Sequence, residues 1–493
     1  MKEQSKFSKV LSILLSIVLV ISSFYLLYQV IRLNVLPSKF LFPLTIGVVV
    51  LDAIFILLLI YFSKNVVSKI ICILLTLFIC AASCMGGYYI SKTQGALSNI
   101  TSVAKHAKNT VSVVVKESSS IKNKSQLNGV SVGTLRLNEQ GSKKALKELS
   151  SEGIVLNQTE YDSMTALLEA FYNGEVDSII INESSRSQIL DMEAYSNFDS
   201  NTRVVYQTSY KVKNNDSASS VSDITSKPFN ILISGSDTRG GFDENGRSDV
   251  IMVATVNPKT HTILLTSVPR DFYVTTACDA GDGCMQGALD KITHTGIHGT
   301  NTTKRTVEQL LGIEINYTFK VGFDTVTELV DILGGVDVYV EPGYATTTSE
   351  FSVHEGVNHL NAQQALAFAR ERYSYTEGDR QRTKNQQQVL MGIVKEATKP
   401  SVITNYAAIM DTMANTFSTT MSNEEITALI KYQLNNNPTW KMEQYMVDGT
   451  GDTLMCAELG DAASVMVPDQ STVKTAKDKI NAVLAGKSSE DVQ

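Results

Sequence analysis

Histidine, cysteine and tryptophan are scarce in this chain of 493 residues, which holds six, six and one of them. No two cysteines stand in a CxxC pair, so no zinc ribbon or dithiol motif is present. His294 and His298 are four apart, but no HExxH surrounds them and Gly296 between them disfavours a helix, so zinc is not expected. Gly486-Lys487-Ser488 has Asn481 where a phosphate-binding P-loop needs its first glycine. Ile233-Ser-Gly-Ser-Asp237 is not a Gly-x-Ser-x-Gly elbow. No Ser, Cys or His constellation offers a covalent nucleophile. Basic charge is lacking where a nucleic acid would need it. The first 92 residues carry eight basic and two acidic groups, and the other 401 carry 35 basic and 48 acidic ones. Duplex binding requires a net basic face. This excludes a nucleic-acid-binding body and leaves room for a small local anion site.

What the chain has in abundance is apolar sequence near its start. Val10–Ile31 and Ile70–Ile90 contain no charge and Phe40–Phe62 contains only Asp52. Each is long enough to span a bilayer, which takes about 20 apolar residues. A signal peptide has a shorter apolar core and no second run, and Ala81-Ala82-Ser83-Cys84 lies too far along for a lipoprotein cleavage box. Lys2, Lys6, Lys9, Lys64 and Lys69 against Arg32 and Lys39 favour a cytoplasmic N-terminus. Three spans then put everything after about residue 92 outside the cytoplasm, in a multi-pass cell-membrane protein. Asp52 sits mid-span with no Lys or Arg in the other two spans to pair with it; it is either a tolerated protonated acid or a contact for a partner protein. Cys72, Cys80 and Cys84 fall in the third span. Cys278, Cys284 and Cys456 fall outside, where disulfides persist. Cys278 and Cys284 bracket a short polar loop and are the disulfide candidate, leaving Cys456 unpaired.

The outer part reads as α/β. Residues 1–95 form the tail and spans, 96–212 a small accessory α/β domain, 213–227 a Ser-rich linker and 228–485 a larger α/β domain. In the accessory domain the pattern predicts strands at Leu127–Leu137 and Val176–Ile181, and helices at Gly141–Leu149 and Thr159–Tyr172. In the larger domain it predicts strands at Asn230–Ser234, Val250–Asn257, Thr262–Val268, Asn316–Gly322, Val336–Val340 and Trp440–Val447. Helices are expected to end at Leu310–Gly312 and to cover Asp324–Leu333, Asn361–Ala369 (capped by Asn361), Val402–Phe417, Glu424–Leu434 and Ser471–Leu484. Asp379, Arg380, Arg382 and Gln386 are expected in a Gly-interrupted loop.

Eight of the twelve arginines lie between Arg239 and Arg382, in an acidic domain. Arg239, Arg247 and Arg270 fall at strand ends, where α/β sheets gather ligand-binding groups. Each has a carboxylate beside it: Asp237, Asp249 and Asp271. Two readings stay open here. The pairs are ordinary salt bridges, or they form a site in which forked guanidinium groups hold a phosphate and carboxylates hold a divalent cation. Arg370 and Arg372 share a face only if the chain is extended there.

At this point the sequence resembles a family. Asn230-Ile-Leu-Ile-Ser-Gly-Ser-Asp-Thr-Arg239, Arg247-Ser-Asp-Val-Ile-Met252, Ser267-Val-Pro-Arg-Asp271, Asp290-Lys-Ile-Thr-His294, Leu329-Val-Asp-Ile-Leu-Gly-Gly-Val-Asp337, Ala365-Leu-Ala-Phe-Ala-Arg-Glu-Arg372 and Gly378-Asp-Arg-Gln-Arg-Thr-Lys-Asn-Gln386 occur in the order seen in LytR–CpsA–Psr proteins. The resemblance covers roughly residues 228–480. Three spans and an extra outer domain make the chain most similar to the streptococcal capsule members. Asn385 stands where other members have an arginine.

The resemblance implies an αβα sandwich with a mixed central sheet. It also implies a phosphotransferase that moves a capsular or exopolysaccharide from a polyprenyl-pyrophosphate carrier to peptidoglycan, with Mg²⁺, or Mn²⁺, as cofactor. Asp237 and Asp249 would then hold the metal. Arg270, Arg370, Arg372, Arg382 and Gln386 would hold the pyrophosphate, with Lys291. Arg239 and Arg247 would pair with the carboxylates or touch phosphate. Arg270, Asp271, Arg370 and Arg372 are the expected catalytic group, with Asp271 as acceptor of the hydroxyl proton. Two alternatives remain: a hydrolase of polyprenyl pyrophosphate, and a non-enzymatic regulator or partner of other capsule assembly proteins. No nucleic acid is expected on the outer domains.

Overall fold

A computed structural model describes residues 6–62, 65–103, 106–136, 139–213, 217–236, 244–279, 283–399 and 402–492. The chain divides into two compact units. One holds residues 1–99, 398–414 and 423–438; the other holds 100–397, 415–422 and 439–493.

The first unit contains three helices long and apolar enough to cross a membrane, over Ser8–Leu33, Ser38–Phe62 and Val66–Thr101. Large apolar side chains such as Phe24, Phe42, Tyr61 and Phe78 face outward, while Ser12, Ser16, Ser22, Ser23, Thr76 and Ser83 are buried. Small residues at the helix contacts let backbones approach closely, and in an apolar medium their hydroxyls need internal partners. Ser16 donates to the Ser12 carbonyl at 2.8 Å and Thr76 to the Cys72 carbonyl at 2.8 Å. Asp52 finds a polar partner rather than a cation: Ser23 Oγ donates to its carboxylate at 2.9 Å. Residues from late in the chain join this unit. Lys92 pairs with Asp411 at 2.9 Å, and Lys431 donates to Asn34 at 2.6 Å. The third helix therefore meets the later helix Val402–Thr416, and the loop after the first meets Asn423–Asn436.

The second unit is mixed α/β, and its described residues form a five-stranded sheet, a six-stranded sheet and four two-stranded ones. The first has five strands in the order Asn157–Tyr161, Ser131–Leu135, Ser178–Asn182, His106–Lys116, Thr202–Lys213. Its strands alternate between two cores, as a period of two requires. Val113, Val132 and Ile180 pack with Ala145 and Leu149 of the helix Glu139–Ser151. Ile179 and Ile181 pack on the other face with Leu167, Leu168 and Phe171 of the helix Met164–Asn173. The helix expected over Thr159–Tyr172 starts later. Asn157–Tyr161 is an exposed edge strand without apolar alternation, and Ser163 caps the helix by accepting from Ala166 N at 3.1 Å.

The larger sheet has six strands in the order Phe417–Thr419, Tyr317–Gly322, Phe229–Ser236, Val250–Asn257, Thr262–Ser267, Lys441–Met446. Val250–Asn257 is antiparallel to both neighbours, whereas Tyr317–Gly322 and Lys441–Met446 pair in parallel, so the sheet is mixed. Helices Thr300–Leu311 and Gln470–Leu484 bury Val307, Leu311, Val473 and Ile480 against Leu232, Val253 and Leu264 on one face. Ala362–Arg370 and Asp379–Ala397 belong to the other layer, where Ala365, Phe368 and Val389 share a core with Val330 and Val336. The result is an αβα sandwich with its mixed sheet in the middle.

Asp379–Ala397 is a helix, not the loop expected from its sequence. Gly378, at φ 55°, ends the preceding turn and the helix begins immediately. Its buried positions include Gln381, Thr383, Asn385 and Gln387, so an apolar stripe that would have announced it is missing. These side chains are spent on backbone and on one another. Gln387 donates to the Tyr445 carbonyl at 2.8 Å, and Asn385 donates to the Phe368 carbonyl at 3.0 Å.

Candidate active site

Four strands of the larger sheet end at the same edge, after Ser236, Ser267, Gly322 and Met446, and Val250–Asn257 starts there. That edge is where open α/β sheets bind ligands. The sequence after Thr262–Ser267 places Arg270 there. The segment entering Val250–Asn257 brings Arg247 and Asp249, and the N-terminus of Asp379–Ala397 brings Asp379 and Arg382.

The segment 246–249 is fixed from below. Asp249 N donates to the Gly235 carbonyl at 2.8 Å and Ser248 N to the Thr293 carbonyl at 2.9 Å. Ser248 Oγ lies 2.9 Å from Ser234 Oγ and 3.0 Å from Thr303 Oγ1, which in turn accepts from Thr295 at 2.9 Å. This buried chain of hydroxyls engages Ser248 in structure rather than chemistry. Gly296 makes the close approach possible: a Cβ there would lie 2.5 Å from the Gly246 carbonyl oxygen.

Above this floor the charges interlock. Arg270 Nη1 donates to Asp249 Oδ1 at 3.0 Å, and Thr293 Oγ1 donates to the same oxygen at 3.3 Å. Arg247 Nη2 lies 3.7 Å from Asp249 Oδ2. Arg270 Nε lies 3.8 Å from Asp271 and 3.9 Å from Asp379. Arg382 pairs with Asp379, and Lys291 Nζ lies 3.4 Å from Asp271. Burial alone would raise the Asp249 carboxyl, but the charges of Arg247, Arg270 and Arg382 hold it below the usual carboxylate range. Arg270 moves up despite burial because Asp249, Asp271 and Asp379 surround it. Arg382 moves down, through burial first and then the neighbouring cations Arg270 and Arg372. The Nε–H groups of Arg247, Arg270 and Arg382 are buried and find no hydrogen-bond partner among the described residues. Unspent buried donors on forked cations are what an anionic ligand would satisfy.

The structure thus brings together Arg247, Asp249, Arg270, Asp271, Lys291 and Arg382, with Arg372 near enough to act on Arg382. Asp237 and Arg239 lie outside the described residues. Arg370 ends its helix and is exposed. The chain turns extended at Glu371, so Arg370 and Arg372 straddle a helix end rather than sharing one extended segment. Gln386 is half-buried on the helix Asp379–Ala397, and it is Gln387 that turns to the sheet. Asn385, where other members carry arginine, is tied to Gln381 and the Phe368 carbonyl.

Sequence reasoning gave Asp379 no role, although it stands in the quoted Gly-Asp-Arg stretch. It also missed Thr293 and Asp191. Asp191 comes from the accessory domain and pairs with Arg247; nothing in the sequence signals a contact between residues 56 apart. His294 and His298 are structural, held by Asp290 at 2.7 Å and Glu458 at 3.0 Å. Among the described residues no group of three or more His, Cys, Asp and Glu is arranged to hold a metal. Cys278 and Cys284 form the expected disulfide, and Cys456 is free and buried.

A family model described as the LytR_cpsA_psr family matches residues 194–482. The chain is 32% identical over 236 residues to the polyisoprenyl-teichoic acid–peptidoglycan teichoic acid transferase TagU of Bacillus cereus, which covers 47% of this chain and 74% of that protein. It is 34% identical over 196 residues to TagU of Bacillus subtilis, covering 40% of this chain and 60% of that protein. The crystal structure of B. subtilis TagU aligns with 52% of this chain and 97% of its own, at 28% identity and a TM-score of 0.40.

Proposed function

The chain belongs to the LytR_cpsA_psr family, and from that premise we propose that it is a glycopolymer transferase whose larger α/β domain moves a phospho-linked polysaccharide from a polyprenyl-pyrophosphate carrier to peptidoglycan. The observation that carries this reading is the buried set of Arg247, Arg270 and Arg382, whose Nε–H donors are unspent among the described residues. The relatives' names give the donor and acceptor classes. The polymer we assign is a capsular or exopolysaccharide. Support for it comes from the accessory domain and the three apolar helices, an arrangement similar to the streptococcal capsule members. Those helices would anchor the protein with its body on the outer face of the membrane, within reach of the lipid carrier and of capsule assembly partners.

The chemistry follows from the groups present. An acceptor sugar hydroxyl attacks the phosphorus that carries the polymer. The new bond joins that phosphorus to the acceptor oxygen, and the bond to the bridging pyrophosphate oxygen breaks. Polyprenyl phosphate leaves. Arg247, Arg270, Arg372 and Arg382 hold the pyrophosphate and offset the charge that develops on the leaving oxygen, as phosphoryl transfer requires. Asp271, with Lys291 Nζ 3.4 Å away, takes the hydroxyl proton and passes it to the leaving phosphate. Asp249, already a depressed carboxylate, is fitted to hold Mg²⁺ or Mn²⁺ together with Asp237, and the ion would supply charge neutralisation at the pyrophosphate oxygens. No side-chain nucleophile is needed. Ser248 is engaged in the hydroxyl chain, and the Cys456 thiol is pushed up to about 12 by burial and by Asp290.

Full-length protein in detergent, given a lipid-linked oligosaccharide, Mg²⁺ and peptidoglycan fragments, should form the polymer–peptidoglycan adduct. Asp249→Ala or added EDTA should abolish it. Release of polyprenyl phosphate with no adduct would make the protein a hydrolase instead.

A further inference from the structure

The accessory domain reaches into this site. Lys108 and Thr110, on the strand His106–Lys116, both hold the Glu244 carboxylate, the first at 3.1 Å. Lys108 also forms a parallel bridge with Glu244. Glu244 lies three residues before Arg247, and its side chain is only 10% exposed. Asp191, the last residue of the short helix Arg186–Asp191, pairs with Arg247 itself. That helix is held firmly. Arg186 is buried and bonded to Glu183 at 2.6 Å and to Asp199 at 3.0 Å. A second anchor lies beside it. Met192 packs against Cys456, Leu459 and Val465, and Thr165 Oγ1 donates to the Leu459 carbonyl at 3.1 Å.

These contacts decide how Arg247 is presented. Its Nη1 goes to Asp191, its Nη2 faces Asp249 across 3.7 Å, and its Nε–H is buried and unspent among the described residues. A planar guanidinium hydrogen-bonded at one terminal nitrogen and facing a second carboxylate with the other is held in one plane, which is the benefit of a planar fork. With Asp191 removed, Arg247 would keep Asp249 as its carboxylate contact. It would be free to close that gap and occupy the oxygen a divalent ion would use.

We propose that Asp191 is a positioning residue for the phosphotransfer site: the accessory domain completes the site by holding Arg247 from outside and keeping it off Asp249. This rests on the pyrophosphate reading above. The ion pair should do little for stability, since Asp191 is 62% exposed and exposed pairs contribute little. Its value lies in orientation, as with partners outside the contact shell of metal sites, whose loss costs on the order of tenfold or more in affinity.

The test is calorimetric titration of full-length protein in detergent with inorganic pyrophosphate in the presence of Mg²⁺. Asp191→Asn should weaken binding by about tenfold and raise KM for the lipid-linked donor with kcat little changed. Asp191→Glu should restore both, and the unfolding midpoint should stay where it is. Affinity in Asp191→Asn that matches or exceeds wild type would overturn the proposal. So would a loss that tracks a lowered unfolding midpoint and is not restored by Asp191→Glu. If wild-type protein does not bind pyrophosphate at all, it is the reading of the site that fails, a result distinct from either.

Discussion

Replacing Arg270 by alanine probes both the electrostatics and the chemistry of the site. Arg270 gives Asp249 its 3.0 Å hydrogen bond and stands within 4 Å of Asp271 and Asp379. Removing one partner of a buried pair costs about 3–5 kcal/mol. Asp249 keeps Thr293 at 3.3 Å and Arg247 at 3.7 Å, so about 2–3 kcal/mol is the expected loss of stability at neutral pH. The loss should depend on pH in a defined direction. The folded-state pKa of Asp249 is depressed by Arg247, Arg270 and Arg382. Its stabilising contribution is present above the unfolded value of about 3.9 and disappears as pH falls through the folded value. The gap between wild type and Arg270→Ala should therefore be widest above about pH 4–5 and shrink below it. In transfer, loss of one charged donor should cost a few hundred-fold, about 3–4 kcal/mol of barrier. Unfolding midpoints across pH and initial transfer rates measure the two effects. Wild-type transfer by the variant, or a stability gap that does not narrow in acid, would refute this account of the cluster.

Three further outcomes are expected. Single cysteines at positions 5 and 220 of a cysteine-depleted chain should label from opposite sides in intact cells; labelling of both from outside would contradict the three-span orientation. Opening the Cys278–Cys284 bridge, which closes a very short loop, should cost about 2 kcal/mol, and non-reduced peptide mapping of fresh protein should find no free thiol at either position. Asn385→Ala takes from the Phe368 carbonyl its 3.0 Å side-chain donor, leaving it Glu371 N at 3.4 Å, and takes from Gln381 its acceptor, so it should lower stability by about 1–2 kcal/mol while the donor KM stays within about twofold; a large rise in KM would show that Asn385 contacts the substrate.

Much of the larger domain was legible because its local signals agree with its fold. Asn361 caps its helix with Gln364 three residues on, and both halves of the capping box form. Gly334 closes the helix Phe323–Leu333 at φ 82°. The central strands are buried along nearly their whole length, so they read as continuous apolar runs. The site was legible as motifs, since Arg247, Asp249, Arg270 and Asp271 sit at the strand ends that the sequence marks. What was hidden has a common cause: the signal used for burial is apolar, and parts of this structure are buried polar. The helix Asp379–Ala397 turns Gln381, Asn385 and Gln387 inward, so it looked like a loop. The edge strand Asn157–Tyr161 carries four exposed polar residues before Tyr161 and so shows no apolar alternation. Asp191 and Glu244 meet the site through contacts between segments far apart in sequence, which periodicity cannot detect. The grouping of residues 398–414 and 423–438 with the apolar helices is of the same kind.

The central claim is that an acceptor hydroxyl attacks a pyrophosphate held by the buried arginines. Its most direct test follows the oxygen atoms. Peptidoglycan fragments whose acceptor hydroxyl carries ¹⁸O are incubated with the full-length protein, Mg²⁺ and a lipid-linked oligosaccharide, and the products are weighed by mass spectrometry. The account predicts an adduct with one phosphorus per polymer chain, the ¹⁸O retained in the new phosphodiester, and polyprenyl phosphate released in equal amount. An adduct without phosphorus, or a free polymer phosphate carrying an oxygen from water and no adduct, would contradict it.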